Sequence, residues 1–239
     1  MALLWSLLFV DPLIILSTIF FGAISVAQSF FDKSGGAMIG TARVWARSLV
    51  RIARVRVKVE GLEKIDPNQP YVFAANHLSY MDTPVVLSRI PVQFRFMAKR
   101  GLFQIPLLGT HLAQAGHIPV PLDDARAAVK TLSLAAQTIR DRGVSILIFP
   151  EGGRSDDGVL QEFKEGAAYI AIKAGVPIVP VALVGTRKIL AMHSATFHSG
   201  PVTLRIGDPL STEGLTLRDR GELTAQVRQK IVAMLDAGF

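Results

Sequence analysis

Cysteine is absent from this sequence. Its absence excludes disulfides, thiolate metal sites and a cysteine-bound acyl intermediate. Aromatic residues with a polar handle are scarce, with two Trp and three Tyr. Asn is equally sparse, which argues against a lectin-like surface. Charged residues make up only 19% of the chain against 50% hydrophobic ones, so disorder is excluded. Long uncharged runs are missing everywhere except near the start, which argues against a polytopic transporter.

What is present pulls in two directions. The mean hydropathy is +0.38, yet the pI is about 10.0 and the formal net charge is +7. The 239 residues suffice for one large domain, or a domain with an appendage. The charge is unevenly placed. Nothing ionisable lies between Asp11 and Asp32. As a helix, the Pro12–Phe31 run would span about 30 Å, enough to insert in a bilayer. No Lys or Arg precedes Lys33, so the basic n-region of a signal peptide is missing. Asp11-Pro12 is expected to break or cap this helix.

Lys33, Arg43, Arg47, Arg51, Arg54, Arg56 and Lys58 follow, with no acid among them. Those seven equal the whole formal excess. Met38, Ala42, Trp45, Leu49 and Ile52 recur at helical spacing on one face, with Arg43, Arg47, Arg51 and Arg54 opposite. A basic amphipathic helix carrying a Trp reads as a membrane-surface element, with Arg43, Trp45, Arg47, Arg51 and Arg54 as its contacts. The competing reading packs this face on the protein's own core. The positive-inside tendency puts the rest of the chain on the cytoplasmic face. Residues 1–60 are therefore read as membrane-anchoring helices, and residues 61–239 as the catalytic domain.

From residue 61, short β-rich runs alternate with helical ones. Strands are expected at Tyr71–Ala75, Phe94–Ala98, His117–Val120, Val144–Phe149, Ile178–Val184 and Val202–Ile206. Helices are expected at Thr83–Arg89, Asp124–Arg142, Lys164–Ala174 and Arg218–Ala237. Asp123 is placed to cap the second helix, and Gly143 and Gly175 to close helices. This is the pattern of an α/β fold, a largely parallel central sheet flanked by helices, here preceded by a membrane-associated helical pair.

Two strands run into polar clusters, and sites in such sheets form where loops leave the strands' carboxyl ends. The first strand delivers Asn76-His77, with Asp82 five residues on. Histidine serves as a general base near neutral pH, and a carboxylate on its other nitrogen fixes the tautomer. By itself a His-x4-Asp pair is weak, and a simple turn explains it as well. The second strand breaks at Pro150 and delivers Glu151, Gly152, Gly153, Arg154 and Ser155. Glycines admit close backbone approach, and Arg suits phosphate. An ordinary Gly-rich turn explains this cluster alone. His111, His117, His193 and His198 show no metal-ligand pattern.

Taken together, the clusters resemble the glycerolipid acyltransferases typified by lysophosphatidic acid acyltransferase, over roughly residues 61–210. Asn76 to Asp82 is similar to that family's N-H-x-S-x-x-D block. Phe149 to Ser155 is similar to F-P-E-G-T-R-S, with Gly153 in place of Thr. Phe163-Lys164-Glu165-Gly166 resembles F-K-x-G, and Val176 to Val181 resembles the fourth block. Ala98-Lys99-Arg100 is similar to the lead into the second block. There the chain departs: Pro121-Leu122 stands where an acidic-basic pair is usual, and Arg126 is the nearest substitute.

The resemblance implies acyl transfer from a thioester donor to the free hydroxyl of a lysophospholipid, most simply 1-acylglycerol-3-phosphate, giving phosphatidic acid. His77 would be the base and Asp82 its partner. Lys99 and Arg154 would clamp the acceptor phosphate. Glu151 would hold a glycerol hydroxyl or Arg154. Asn76, Ser79, Gly152, Ser155 and Lys164 would line the substrate site. Ser79 as a nucleophile forming an acyl-enzyme is the mechanistic rival. No cofactor or metal is expected, with acyl-CoA or acyl-carrier protein as co-substrate. The expected partners are membrane lipids and the lysophospholipid, not nucleic acid. The altered second block leaves another acceptor open, such as lyso-ornithine lipid. A different class of reading is a non-catalytic lipid-binding protein.

Overall fold

The computed structural model describes residues 2–121 and 125–237. Leu122 and the expected helix cap and start at Asp123 and Asp124 lie outside the described residues.

The chain opens with a run of helix. Ala2–Trp5 (α1) passes through a π-turn at Ser6–Val10 into Asp11–Gln28 (α2). Asp11-Pro12, expected to break or cap the helix, opens α2 with Pro12 in its first turn and leaves the helical run continuous. Proline has no N–H, and its ring crowds the carbonyl four residues back. The wider π-turn just before it, where the Asp11 N–H donates to the Ser6 carbonyl, absorbs both defects. Gly36–Ile52 (α3) then folds back along α2. Trp45 Nε1 donates to Thr18 Oγ1 at 3.0 Å, Ser17 and Ser48 share a hydroxyl bond of 2.6 Å, and Thr41 Oγ1 donates to Gln28 Oε1 at 2.8 Å.

The strands are Val55–Glu60 (β1), Val72–Ala75 (β2), Phe94–Lys99 (β3), Ile118–Val120 (β4), Ser145–Ile148 (β5), Ile178–Val184 (β6) and Gly200–Ile206 (β7). They form a sheet in the order β1-β7-β6-β2-β5-β3-β4. All neighbours are parallel except β6 and β7. The other helices are Asp82–Arg89 (α4), Leu108–Gln114 (α5), Ala125–Arg142 (α6), Gly166–Ala174 (α7), Thr186–Ile189 (α8) and Arg220–Asp236 (α9). Short 3-10 turns occupy Leu62–Lys64 and Arg100–Gln104. The six expected strands and four expected helices are present with small shifts at their ends. β1 is an addition. It lies within residues 1–60 and pairs with β7 along its length.

Both faces of the sheet are buried, as a parallel sheet requires. Alternate side chains go to opposite cores. Phe73 and Ala75 of β2 pack with Ala46 and Val50 of α3 and Val85 and Val86 of α4. Val72 and Ala74 pack with Ala135 and Ile139 of α6, Ala168 of α7 and Val227 of α9. Fully burying a side chain such as Phe73 stabilises by about 2–3 kcal/mol. The buried stripe of α3 answers the question the sequence left between membrane and core. Met38, Ala42 and Leu49 are buried and Trp45 lies against α2. The outward apolar surface belongs instead to the first helix: Leu4, Leu8, Leu16 and Phe20 are exposed, as are Phe30 and Phe31 just beyond it. Leu3–Gln28 has a mean hydropathy of 2.3 over its most apolar stretch and is long enough to cross a membrane. This bare apolar face makes the chain membrane-associated.

Candidate active site

β2 and β5 are adjacent and parallel, so their carboxyl ends deliver Asn76-His77 and Phe149 to Ser155 side by side. A lattice of polar contacts holds the two loops together. The Asn76 side chain behaves like one more peptide unit of the sheet. Its Nδ2 donates to the Leu183 carbonyl at 3.1 Å and its Oδ1 accepts the Leu183 N–H at 2.7 Å. Glu151 is buried, and both its carboxylate oxygens accept backbone N–H groups, from His77 at 2.6 Å and from Gln161 at 3.0 Å. Burial pushes its pKa up against those bonds. The Ser155 N–H donates to the His77 carbonyl at 3.1 Å, while its hydroxyl donates to Asp157 at 2.7 Å.

His77 and Asp82 meet as the spacing suggested. His77 Nδ1 donates to Asp82 Oδ2 at 2.8 Å. The same oxygen accepts the backbone N–H groups of Leu78 and Ser79, each at 2.8 Å. Asp82 opens α4, where a carboxylate also meets the positive end of the helix dipole. Its side chain is fully buried and that of His77 is 10% exposed. The dyad therefore has one fully buried member and one whose side chain keeps a small exposed area. With Nδ1 committed, Nε2 is the nitrogen able to take a proton. Burial lowers the His77 pKa below 6.5, Asp82 opposes this, and the Arg154 charge adds to the lowering. The imidazole is consequently neutral, and basic, at pH 7.

Phe149 supplies what the sequence reading missed. Its ring stacks on His77 with centroids 3.7 Å apart and planes within 9°, fixing the imidazole orientation from the face. The signal was its place just before Pro150 at a strand end. Phe149 lies 6.4 Å from Phe96, which lies 5.7 Å from His117, so rings form a column across the sheet.

The remaining expected site residues divide into two groups. Asn76, Ser79, Glu151, Gly152 and Ser155 all take part in the framework that joins the two loops. Ser79 is fully buried, and its hydroxyl donates to the Leu190 carbonyl at 2.6 Å while accepting the Met81 N–H. Both bonds turn this hydroxyl toward the framework. Gly152 has φ +79°, and a Cβ there would sit 2.7 Å from Lys164 Nζ, so the turn excludes side chains. Lys99, Arg154 and Lys164 instead reach the surface. Arg154 is half-buried and its Nε donates to the Ser79 carbonyl at 3.3 Å. Its guanidinium lies 4.5 Å over the Tyr80 ring, a second partner the sequence reading did not assign. Lys99 and Lys164 are exposed, as is Arg126 at the start of α6. Pro121 is buried.

Of the expected membrane contacts, Arg47, Arg51 and Arg54 are exposed. Arg43 is half-buried and donates to the Val92 carbonyl. His193 pairs with Asp156 at 3.1 Å. Among the described residues no group of three or more His, Asp or Glu is placed to hold a metal ion.

Known proteins agree with this architecture. A family model described as Acyltransferase matches residues 56–184, a span that includes nearly all of β1. The chloroplastic 1-acyl-sn-glycerol-3-phosphate acyltransferase LPAT1 of Arabidopsis thaliana is 34% identical over 82% of this chain and 53% of its own length. The human 1-acyl-sn-glycerol-3-phosphate acyltransferase alpha is 33% identical over 75% of this chain and 64% of its own. The chain thus spans about half the length of the chloroplast relatives it matches. The crystal structure of the 1-acyl-sn-glycerophosphate acyltransferase PlsC from Thermotoga maritima superimposes with a TM-score of 0.81 at 28% identity, covering 96% of this chain and 92% of that one. With the family model matching more than half of its residues, the chain belongs to the acyltransferase family.

Proposed function

We propose that this protein transfers a fatty acyl group from a thioester to the free hydroxyl of 1-acylglycerol-3-phosphate, forming phosphatidic acid. The observation that carries the reading is the dyad, a neutral imidazole with one nitrogen held by a fully buried carboxylate and its side chain partly open. The acceptor hydroxyl gives its proton to His77 Nε2 as its oxygen attacks the thioester carbonyl carbon. Asp82 stabilises the imidazolium that forms. The tetrahedral intermediate then breaks its C–S bond, and the departing thiolate recovers the proton from His77. Transfer is direct in this reading, because the motif's serine hydroxyl, that of Ser79, is buried and bonded within the framework. Arg154 and Lys99 are the cations assigned to the acceptor phosphate, with the Arg154 guanidinium over the Tyr80 ring.

The N-terminal helices form the membrane unit of this reading, and the α/β body the catalytic one. The first helix lies along α3, whose other side is core. A helix so attached rests in one leaflet with its apolar face down, and the exposed Arg47, Arg51 and Arg54 meet anionic headgroups on the cytoplasmic side.

Purified protein given acyl-CoA or acyl-carrier protein with a panel of lyso-acceptors tests the proposal. The panel includes lyso-ornithine lipid, because Pro121 stands where the resemblance places an acid. Phosphatidic acid is the expected product, lost in His77→Ala. Unchanged transfer by that variant, or no transfer from either donor by folded wild type, would overturn it.

A further inference from the structure

At the edge of the sheet where β1 begins, the first helix meets the body around a cavity of about 300 Å³. Trp5, Val10, Arg54, Phe197, His198 and Ser199 line it. The place is pinned from both sides. The Ser6 hydroxyl donates to the Phe197 carbonyl at 3.4 Å and accepts the Phe197 N–H at 2.8 Å. Two local departures from regular structure meet here. The helix forms its π-turn at Ser6–Val10, and such turns are frequent at functional sites. Arg54 adopts φ 52°, just past the end of α3, where glycine is the usual residue. An arginine kept in a left-handed backbone points to a use for its side chain. Its guanidinium lies 4.6 Å over the Trp5 ring, and Trp5 stacks on Phe9 at 4.8 Å.

The chemistry of the lining is one-signed. Arg54 and His198 are its ionisable groups, and no carboxylate lines it. Leu4, Leu8 and Phe9 are exposed beside it on the same helix. A cation with hydrogen-bond donors beside a bare apolar surface matches a phosphate group attached to hydrocarbon. The cavity also lies at the same end of the sheet as the active site. Val55 pairs with Gly200, and β7 runs antiparallel to β6 with Val184 opposite Thr203. The start of β7 therefore lies beyond the carboxyl end of β6, on the side where β2 delivers His77.

Resting on the membrane reading in which Arg54 meets anionic headgroups, we propose that this cavity binds the phosphate of one such phospholipid, with Arg54 and His198 on the headgroup and Trp5 at the boundary with the acyl chains. It is distinct from the acceptor phosphate site assigned to Arg154 and Lys99, and needs no turnover to be observed.

The experiment reads Trp5 fluorescence in a Trp45→Phe background, which leaves Trp5 as the sole indole. Vesicles of phosphatidylglycerol in phosphatidylcholine, vesicles of phosphatidylcholine alone, and inorganic phosphate are titrated in parallel. Anionic vesicles are expected to blue-shift Trp5 emission and bind the tightest. Arg54→Gln should weaken that binding about thirtyfold, a lost charge-assisted contact added to a lost surface charge. The control Arg47→Gln, an exposed arginine on α3, should weaken it at most about fivefold. A Trp5 response to millimolar inorganic phosphate without vesicles would overturn the lipid assignment in favour of a soluble phosphate. Equal losses in the two variants, or an equal response to neutral vesicles, would overturn the site altogether.

Discussion

His77 follows the central strand β2 and His117 precedes the edge strand β4, and the two are joined by the column of rings through Phe149 and Phe96. Both are buried. His77 has Asp82 on Nδ1, whereas His117 Nδ1 accepts the backbone N–H of Phe96 at 2.8 Å. The electrostatic neighbours of His117 are basic, His111 first and then Arg95. Burial lowers the pKa of both, well below 6.5 for His117, where no carboxylate opposes it. The contrast separates burial from function. Enclosure alone makes a histidine a permanent neutral packing group. A carboxylate behind the ring, with the opposite nitrogen left for a reactant, makes it a base able to hold a proton transiently.

The comparison breaks most directly by exchanging losses. His77→Ala should reduce turnover by about a thousandfold or more, the range of a lost general base, with little change in folding. His117→Ala should do the reverse: an unpaired Phe96 N–H and a small void cost about 2–3 kcal/mol of stability, while turnover per folded molecule stays within about twofold. Steady-state kinetics beside thermal unfolding would distinguish them. Asp82→Asn keeps an oxygen for Leu78 and Ser79 but loses the tautomer lock, and turnover should fall by about a thousandfold. A loss under tenfold would mean that the carboxylate serves the turn alone.

Acid should sharpen the contrast at the His117 edge. Burial lowers the His111 pKa to about 4, with Arg95 adding to it. Below pH 6.5 the unfolded chain takes up protons at His111 and His117 that the native chain refuses. Stability present above pH 6.5 is therefore lost as pH falls toward about 4. Urea unfolding at pH 7.5 and pH 5 should show this, and His117→Ala should flatten the dependence. The smallest effect belongs to Tyr80. Removing its ring with Tyr80→Ala should raise the acceptor KM about fivefold by freeing Arg154, with kcat retained. Arg154→Gln should shift the acidic limb of the rate profile upward, because the cation lowers the His77 pKa.

Much of this was legible in residue order. The dyad spacing, the strand-end clusters and the α/β alternation all follow from local periodicity and turn chemistry. β1 was legible too, since Val55, Val57 and Val59 alternate with charged residues, but a count of charge across the whole stretch concealed the period of two. Other features depend on distant partners. Asn76 and Glu151 look like substrate ligands until Leu183, His77 and Gln161 are seen to use every polar atom of their side chains. The apolar stripe of α3 fits a bilayer or a core equally well, and only the packing of α4 and the sheet against it decides. Phe149 could not acquire a role before His77 was placed over it.

The bonds around Asn76 also bear on how long the enzyme lasts. Asparagine ages when the following backbone nitrogen attacks the side-chain amide and ammonia is lost. Here that nitrogen, on His77, is tied to Glu151, and the amide is held at both ends by Leu183. The attack would have to break three hydrogen bonds in a fully buried site. Contacts that align His77 thus also protect the neighbouring residue from slow chemical decay.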